Sequence, residues 1–560
     1  MKSHLKNLLS RAIEKTAKGE ELPTTDLPPL LLEPPKQKEF GDLASNVALV
    51  WAKQLRRPPR AVAEAIVKNL EDPEGILARV EIAGPGFINF SFSPGFYYER
   101  LKEFEAQTDL APSFGAGERV QVEFASANPT GPLHVGHGRV AVIGDVLARL
   151  LAATGFSVER EYYVNDAGNQ MEKLGLSIYA RYRELFGETV EFPEGGYPGE
   201  YVTEVAAAAK REWGDKFLAG PADEAVAFFS RYGGESLLGT IRGDLAAFGI
   251  AFDSFVSEKE LRARGEVEKT LALLKSRDML YEQEGARWFK STAFGDDKDR
   301  ALVKSDGELT YFASDIAYHR DKLARGFQRL INVWGADHHG YVARLKAGLA
   351  ALGHDPEALR VVLVQLVQLT RGGEPVRMGK RQGEFVPLAD VLEEVGRDAA
   401  RFFFLMRKSD SHLDFDLELA KKESSENPVF YVQYAHARIA SIFEQAREKG
   451  VDTGGLTARA AKLETLAEPQ ELELVRRLLQ FSETVEESVR ELEPHRLAFY
   501  LLDLAGEFHR YYNRHRVITD DRELTRARLL LLRNVQRAIG QGLNLLGVTA
   551  PLKMAARTEV

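Results

Sequence analysis

The spacing of apolar residues changes along the chain and divides it. The opening residues 1–11 read as an amphipathic helix, while residues 80–92, punctuated by Gly84, Pro85 and Gly86, read as paired strands. An α+β domain is therefore expected over 1–112, with the turn-rich stretch 109–117 as its linker. From 120 to about 353 short apolar runs alternate with helical spacing. The runs 120–124, 156–164 and 329–334 predict strands, as in an α/β domain built on a doubly wound parallel sheet over 113–360. An acidic, glycine-punctuated stretch from about 170 to 285 breaks that alternation and reads as an insertion. A further apolar strand, 361–369, leads into a glycine-rich loop within a connecting region 361–424. From Asn427 the helical period returns with abundant Leu and Arg, so 425–560 is expected to form an all-α bundle.

Composition narrows the chemistry. A chain of 560 residues exceeds what one hydrophobic core usually serves, and 44% apolar with 28% charged residues is an ordinary soluble globular balance. The absence of cysteine excludes a disulfide framework, a thiolate zinc site and a cysteine nucleophile. No segment has the pattern of a secretion signal or a membrane span, so a cytoplasmic protein without a membrane partner is expected. The formal net charge of -9 does not advertise a nucleic acid, but local basic strips decide that question.

The candidate chemistry begins where the run 120–124 meets the loop Asn128-Pro-Thr-Gly-Pro and a helix. His134 and His137, three apart, share the first helical turn and one face. Unpaired N–H groups and the positive end of the helix dipole there favour a nucleotide phosphate, and Gly136 leaves room for an adenine ring. Lys380 sits on a loop whose glycines let it close over such a nucleotide. Further on, Tyr311 and Asp315 lie four apart on one helix face. Asp315 has a local reading, a bridge to His319 four residues on, since a buried carboxylate is costly without a partner; a second reading, as a substrate contact, comes with the resemblance below. Asp337, His338 and His339 follow a strand at the carboxyl edge where ligands of such sheets collect. Adjacent histidines without a third ligand at a recognisable spacing do not make a metal site. Residues 508–516 form a basic strip interleaved with aromatic rings and free of acids, suited to unstacked RNA bases; of Tyr511 and Tyr512 one ring, not both, is expected in the core.

The stretch Ser126-Ala-Asn-Pro-Thr-Gly-Pro-Leu-His-Val-Gly-His-Gly-Arg resembles the HIGH signature of class I aminoacyl-tRNA synthetases in its arginyl form. Arg377-Met-Gly-Lys-Arg resembles the KMSK loop, with Arg377 for the first lysine and Gly379 for the serine. The resemblance implies a Rossmann-like catalytic domain, an extra amino-terminal domain that grips the tRNA corner, and an anticodon-binding bundle. It implies ATP-dependent activation of L-arginine and transfer to the 3′-terminal ribose of tRNA(Arg), releasing AMP and pyrophosphate, by a monomer that uses Mg²⁺ with ATP and holds no zinc. His134, His137 and Lys380 would then be catalytic, and Gly136, Asp337, His338 and Met378 would join them around ATP. Glu123, Ser126, Asn128, His137, Tyr311, Asp315 and His339 would bind arginine. Phe87 and Asn89 would read a tRNA base, and Tyr431, Arg438, Tyr511, Arg514 and Arg516 would contact the same RNA. Three rivals share part of the pattern: another class I synthetase, a small-molecule adenylyltransferase, and a catalytically dead RNA-binding paralogue. The Glu123, Tyr311 and Asp315 set, the basic strip, and the intact His134, His137 and Lys380 respectively speak against them.

Overall fold

The computed structural model describes residues 1–19, 29–35, 37–376 and 386–554, apart from the Lys38 side chain, and the chain falls into two compact units. The first comprises Met1–Leu110, Ala435–Glu483 and Asp503–Ile539. Its opening helix, Lys2–Gly19, buries Leu5, Leu9, Ala12 and Ile13, one apolar stripe of an amphipathic helix. Strands β1 (Leu32–Glu33), β2 (Leu43–Ser45), β3 (Leu77–Ala83) and β4 (Phe87–Phe92) form an antiparallel sheet in the order β1-β2-β4-β3. Gly86 closes the β3–β4 turn at a positive φ, where a Cβ would also strike the Pro59 backbone at 2.9 Å. Within this unit Tyr98 donates to the Leu466 carbonyl at 2.9 Å and Arg533 pairs with Glu105 at 3.0 Å. Residues 435–483 and 503–539 of the helical tail thus share a unit with the α+β start.

The second unit comprises Ala111–Tyr434, Thr484–Leu502 and Gly540–Val560. Strands β5 (Arg119–Phe124), β6 (Ser157–Val164) and β7 (Ser254–Ser257) belong to its central sheet, and β8 (Leu280–Gln283), β9 (Ala286–Phe289) and β10 (Arg300–Val303) form a small antiparallel one. β11 (Arg329–Gly335) and β12 (Leu359–Val364) complete the central sheet, whose order is β12-β11-β5-β6-β7 with every pair parallel. Val120, Val122 and Phe124 on one face and Gln121 and Glu123 on the other are all buried, as a strand covered on both faces requires. Because the chain runs from β5 to β6 on one side and places β11 on the other, a crevice opens at the carboxyl ends of β5 and β11. β13 (Val367–Arg371), β14 (Glu374–Pro375) and β15 (Leu413–Asp416) form a further three-stranded sheet.

The interruption read over about 170–285 is shorter at the level of the sheet. Helices Asn169–Glu184, Glu200–Trp213 and Ala222–Ala247 build an arm around Leu174, Ile178, Val202, Ala206 and Phe229. The parallel sheet then resumes at β7, pairing Tyr162 with Phe255. Four residues, Ser-Phe-Val-Ser, are too few to register as an apolar run. Among the described residues no helix is long and apolar enough to cross a membrane.

Candidate active site

Immediately after β5 the backbone leaves the sheet through Ala125, a non-glycine residue at φ 57. That left-handed conformation is disfavoured for L residues and concentrates at functional turns. Here it sets Ser126 beside the strand it has just left: the Ser126 hydroxyl donates to Glu123 Oε1 at 3.2 Å and accepts the Tyr163 N–H at 3.1 Å. The loop continues with Asn128, whose amide donates to Gln170 Oε1 at 2.5 Å.

The helix Val135–Ala153 starts on His134 as its N-cap. Its two histidines form a reciprocal capping box: His134 Nδ1 accepts the Gly136 N–H at 3.1 Å, and His137 Nδ1 accepts the His134 N–H at 3.2 Å. The rings stack with centroids 3.6 Å apart. Burial, and then the neighbouring His134, pulls His137 down to about 3, and burial lowers His134 as well. Both are therefore neutral at physiological pH. A neutral imidazole whose Nδ1 accepts must carry its proton on Nε2, so the capping box fixes the tautomer of both rings. At Gly136 the nearest demand is local, since a Cβ there would meet the His134 ring at 3.0 Å.

Met378 and Lys380 lie outside the described residues, but the residues flanking their loop do not. Val376 donates to the Leu369 carbonyl at 3.0 Å on the entry side. On the exit side Val135 donates to the Val386 carbonyl at 3.3 Å and Leu388 to the Leu133 carbonyl at 2.8 Å, with His134 and Pro387 bridged. The loop's exit is therefore laced to the histidine turn.

The acidic residues meet deeper in the crevice. Glu123, on β5, is nearly buried and accepts from Lys322 Nζ at 2.5 Å; Lys322 also donates to Asn332 Oδ1 at 3.3 Å. Asp315 and Lys322 share the helix Tyr311–Ala324. His319 does not bridge the Asp315 side chain: its Nδ1 donates to the Asp315 carbonyl at 2.8 Å, and its Nε2 accepts from Asn332 Nδ2 at 2.7 Å. The Asp315 carboxylate instead accepts from the hydroxyl of Tyr341. Desolvation pushes Asp315 up to about 7, the Tyr341 hydrogen bond opposes that, and Glu123 and Glu258 add like-charge repulsion. Among the described residues no Lys or Arg forms an ion pair with Asp315. Tyr311, one turn earlier, is 56% exposed. The Tyr163 hydroxyl is buried without a hydrogen-bond partner among the described residues, in the same acidic surroundings, and burial raises it far above an ordinary phenol. At the end of β11 the short helix Ala336–Tyr341 presents Asp337, His338 and His339 on the surface, with His338 Nε2 3.5 Å from Asp337.

Lys322, Tyr341 and Arg139 escape the sequence reading. Lys322 follows Asp315 and His319 at helical spacing, a stripe that was there to be read. Arg139 is fully buried, and its guanidinium donates to the carbonyls of Gln365 at 2.9 Å, Ser411 at 2.8 Å and Lys408 at 2.9 Å. Burial lowers it to about 10.

Of the residues expected to contact RNA, Phe87 is 41% exposed on β4 whereas Asn89 is 5% exposed, so Phe87 alone of the pair presents its side chain to solvent. Tyr511, expected on the basic strip, is a correction. It is fully buried and stacks on His515 with centroids 5.2 Å apart, because Leu504, Phe508 and Tyr511 fall on the buried stripe of their helix. Tyr512 is half-buried beneath Arg438, whose guanidinium carbon lies 5.1 Å from the ring centroid. Arg514 and Arg516 are exposed and Tyr431 is half-buried.

Comparison with known proteins accounts for nearly the whole chain. Residues 3–92 match the arginyl tRNA synthetase N terminal domain, 104–192 and 237–435 the catalytic domain of class I (R) tRNA synthetases, and 432–554 the DALR anticodon binding domain. An arginine–tRNA ligase of Geobacter sp. (strain M21) is 52% identical over 99% of this chain and 100% of its own. That of Syntrophotalea carbinolica is 50% identical with the same coverage. The structure of Thermus thermophilus arginyl-tRNA synthetase superposes with a TM-score of 0.77 at 25% identity, covering 98% of this chain and 100% of that one. On a parallel sheet with paired histidines at its switch point and acids beside them, these matches show that the chain belongs to the arginine–tRNA ligase family of class I aminoacyl-tRNA synthetases.

Proposed function

We propose that the crevice condenses L-arginine with ATP and passes the arginyl group to the 3′-terminal ribose of tRNA(Arg). A carboxylate oxygen of arginine attacks the α-phosphorus, the bond to the bridging oxygen breaks, and pyrophosphate leaves. A ribose hydroxyl then attacks the acyl carbon and AMP departs, its phosphate taking the electron pair of the broken bond while the hydroxyl proton passes to the departing group or solvent. Such phosphoryl chemistry needs positioning and charge stabilisation more than covalent help. The Nε2–H groups of His134 and His137 are the donors for the phosphate oxygens, Mg²⁺ arrives with ATP as part of that substrate, and Lys380 supplies a cation. Gly136, Met378, Asp337 and His338 complete the nucleotide's surroundings in this reading.

The observation that carries the arginine assignment is Asp315. Its carboxylate is desolvated and held by one hydroxyl, while Glu123 beside it already has Lys322. A guanidinium compensates such a group with two parallel hydrogen bonds. Glu123 and Tyr311 flank it, and Ser126, Asn128 and His339 serve the ammonium and carboxylate of the same substrate. The tRNA would meet Phe87, Tyr431, Arg438, Arg514 and Arg516. In this reading the protein works in the cytoplasm as a monomer. The test is to offer total tRNA and each amino acid in turn. Arginine should be esterified and citrulline ignored; esterification of a different amino acid, or of none, would overturn the assignment.

A further inference from the structure

The arm that interrupts the central sheet reaches the signature loop at two points. From the helix Asn169–Glu184, Gln170 accepts the Asn128 amide at 2.5 Å. From the helix Glu200–Trp213, the Tyr201 hydroxyl donates to the Thr130 carbonyl at 3.0 Å. Tyr201 is half-buried, its phenol pushed up to about 12 by burial. Two glycines make room for it. A Cβ on Gly199 would lie 2.3 Å from the Tyr201 ring, and a Cβ on Gly131 would lie 3.1 Å from its hydroxyl oxygen and 3.4 Å from the ring carbon bearing it. On the other side of the loop, Tyr162 of β6 donates to the Ala127 carbonyl at 2.8 Å. The loop between Ala127 and His134 is thus gripped from the sheet and from the arm. Tyr201 lies within 193–236, the segment that the catalytic-domain match passes over.

We propose that Tyr201 is a positioning residue for the reaction: through Thr130 and Gly131 it fixes the loop that carries Asn128 and ends on His134, making the arm part of the active site's support. The inference rests on the proposed function, because Asn128 and His134 matter as arginine and phosphate contacts only under that reading. Its physical basis is preorganisation. A loop free to shift by a fraction of an ångström loses the near-attack geometry that the sheet and helix dipole have set up.

The test is a double-mutant cycle on the full chain, with arginine charging and thermal melting measured on each protein. Tyr201→Phe keeps the ring and removes one hydrogen bond, so kcat/KM for arginine should fall about threefold to tenfold, with the melting temperature close to the parent's and KM for ATP changing less. Gly131→Ala sets a methyl against the hydroxyl and should lower kcat/KM on its own. In the Tyr201→Phe background the nearest ring atom is at ordinary contact distance, so Gly131→Ala should cost much less there. That rescue supports the proposal, since a merely structural contact would change stability without it. Tyr201→Phe at the parental kcat/KM, strictly multiplicative effects, or losses that only track melting would each overturn it. If the parent itself fails to charge arginine, the functional assignment fails and the inference with it; failure of the cycle in a charging parent sinks the inference alone.

Discussion

Tyr341, the last residue of the short helix after β11, donates its hydroxyl hydrogen to the carboxylate of Asp315 on the helix Tyr311–Ala324. The phenol ring is held edge-on to Phe312 and Trp334, with centroids 5.8 and 6.1 Å away. The hydroxyl favours the ionised carboxylate while desolvation, Glu123 and Glu258 disfavour it, and the balance leaves Asp315 at about 7. Arginine needs the ionised form. Its KM should therefore rise as pH falls through about 7, by up to about tenfold per unit below that point, while KM for ATP changes less. Tyr341→Phe removes the stronger of the two influences favouring ionisation, the other being the Lys322 charge, so the inflection should move to higher pH. Initial rates across a pH series, with arginine varied at saturating ATP, read both effects.

Asp315 also carries a stability cost with a defined sign. Its carboxyl stands above the ordinary value of 3.8, at about 7, so between those values the folded chain binds a proton that the unfolded chain has lost. Stability falls as pH rises through that window and stays reduced above it. Asp315→Asn removes the penalty and keeps an acceptor for Tyr341. The variant should melt higher than the parent in weakly alkaline buffer, with the gain vanishing in acid, while its KM for arginine rises far more than that for ATP. Calorimetry at both pH values, paired with the two KM measurements, separates a binding carboxylate from a structural one.

His137→Ala should lower kcat by about a hundredfold, as expected for losing one preorganised donor to developing charge. It also removes the acceptor for the His134 N–H. Asn at 137 can accept with its oxygen and donate with its amide, so His137→Asn should retain more activity than the alanine variant. A rank order with Asn below Ala, measured by charging kinetics, would show that the imidazole acts other than as an acceptor and donor.

What the sequence revealed is what local spacing encodes. His134 and His137 are three apart and Tyr311 and Asp315 four apart, so one helical turn suffices to bring each pair together. The parallel sheet was legible because β5, β6 and β11 are long enough to show as apolar runs, and β7 was lost because it is four residues long. Tyr511 was assigned to the RNA surface although its own stripe with Leu504 and Phe508 marks it as core. The Tyr341–Asp315, Lys322–Glu123 and Tyr201–Thr130 contacts join residues far apart in the chain. No periodicity records them; only the closed sheet and the folded arm bring them together.

Lys322 and Glu123 form a buried pair whose members depend on each other. Lys322→Met leaves a carboxylate beside Ser126 without its cation, and breaking a buried pair from one side costs about 3–5 kcal/mol. The loss should appear as a lower urea midpoint at unchanged m-value. Adding Glu123→Gln should recover part of it, since a neutral amide no longer requires a charge partner. If the double variant is as unstable as the single one, the cation–π contact of the Lys322 ammonium with the Tyr318 ring, 4.2 Å from its centroid, is the larger contribution.

Arg139 ties the histidine helix to the region beyond β12. Its guanidinium is fully buried, yet its acceptors are three backbone carbonyls, at Gln365, Lys408 and Ser411. The charge of Asp410 only partly offsets the desolvation that lowers it to about 10. Arg139 is therefore a fork that satisfies carbonyls from two loops at once, one of which leads through β13 toward the Lys380 loop. Lysine has the charge without the planar fork, so Arg139→Lys should strand at least one carbonyl at a cost of about 1–3 kcal/mol. Because the histidine turn is laced to the loop exit through Val135 and Val386, the variant should also raise KM for ATP. Arg139→Lys with a parental urea midpoint and a parental KM for ATP would show that the fork is dispensable and that the β12–β13 region is held by its sheet alone.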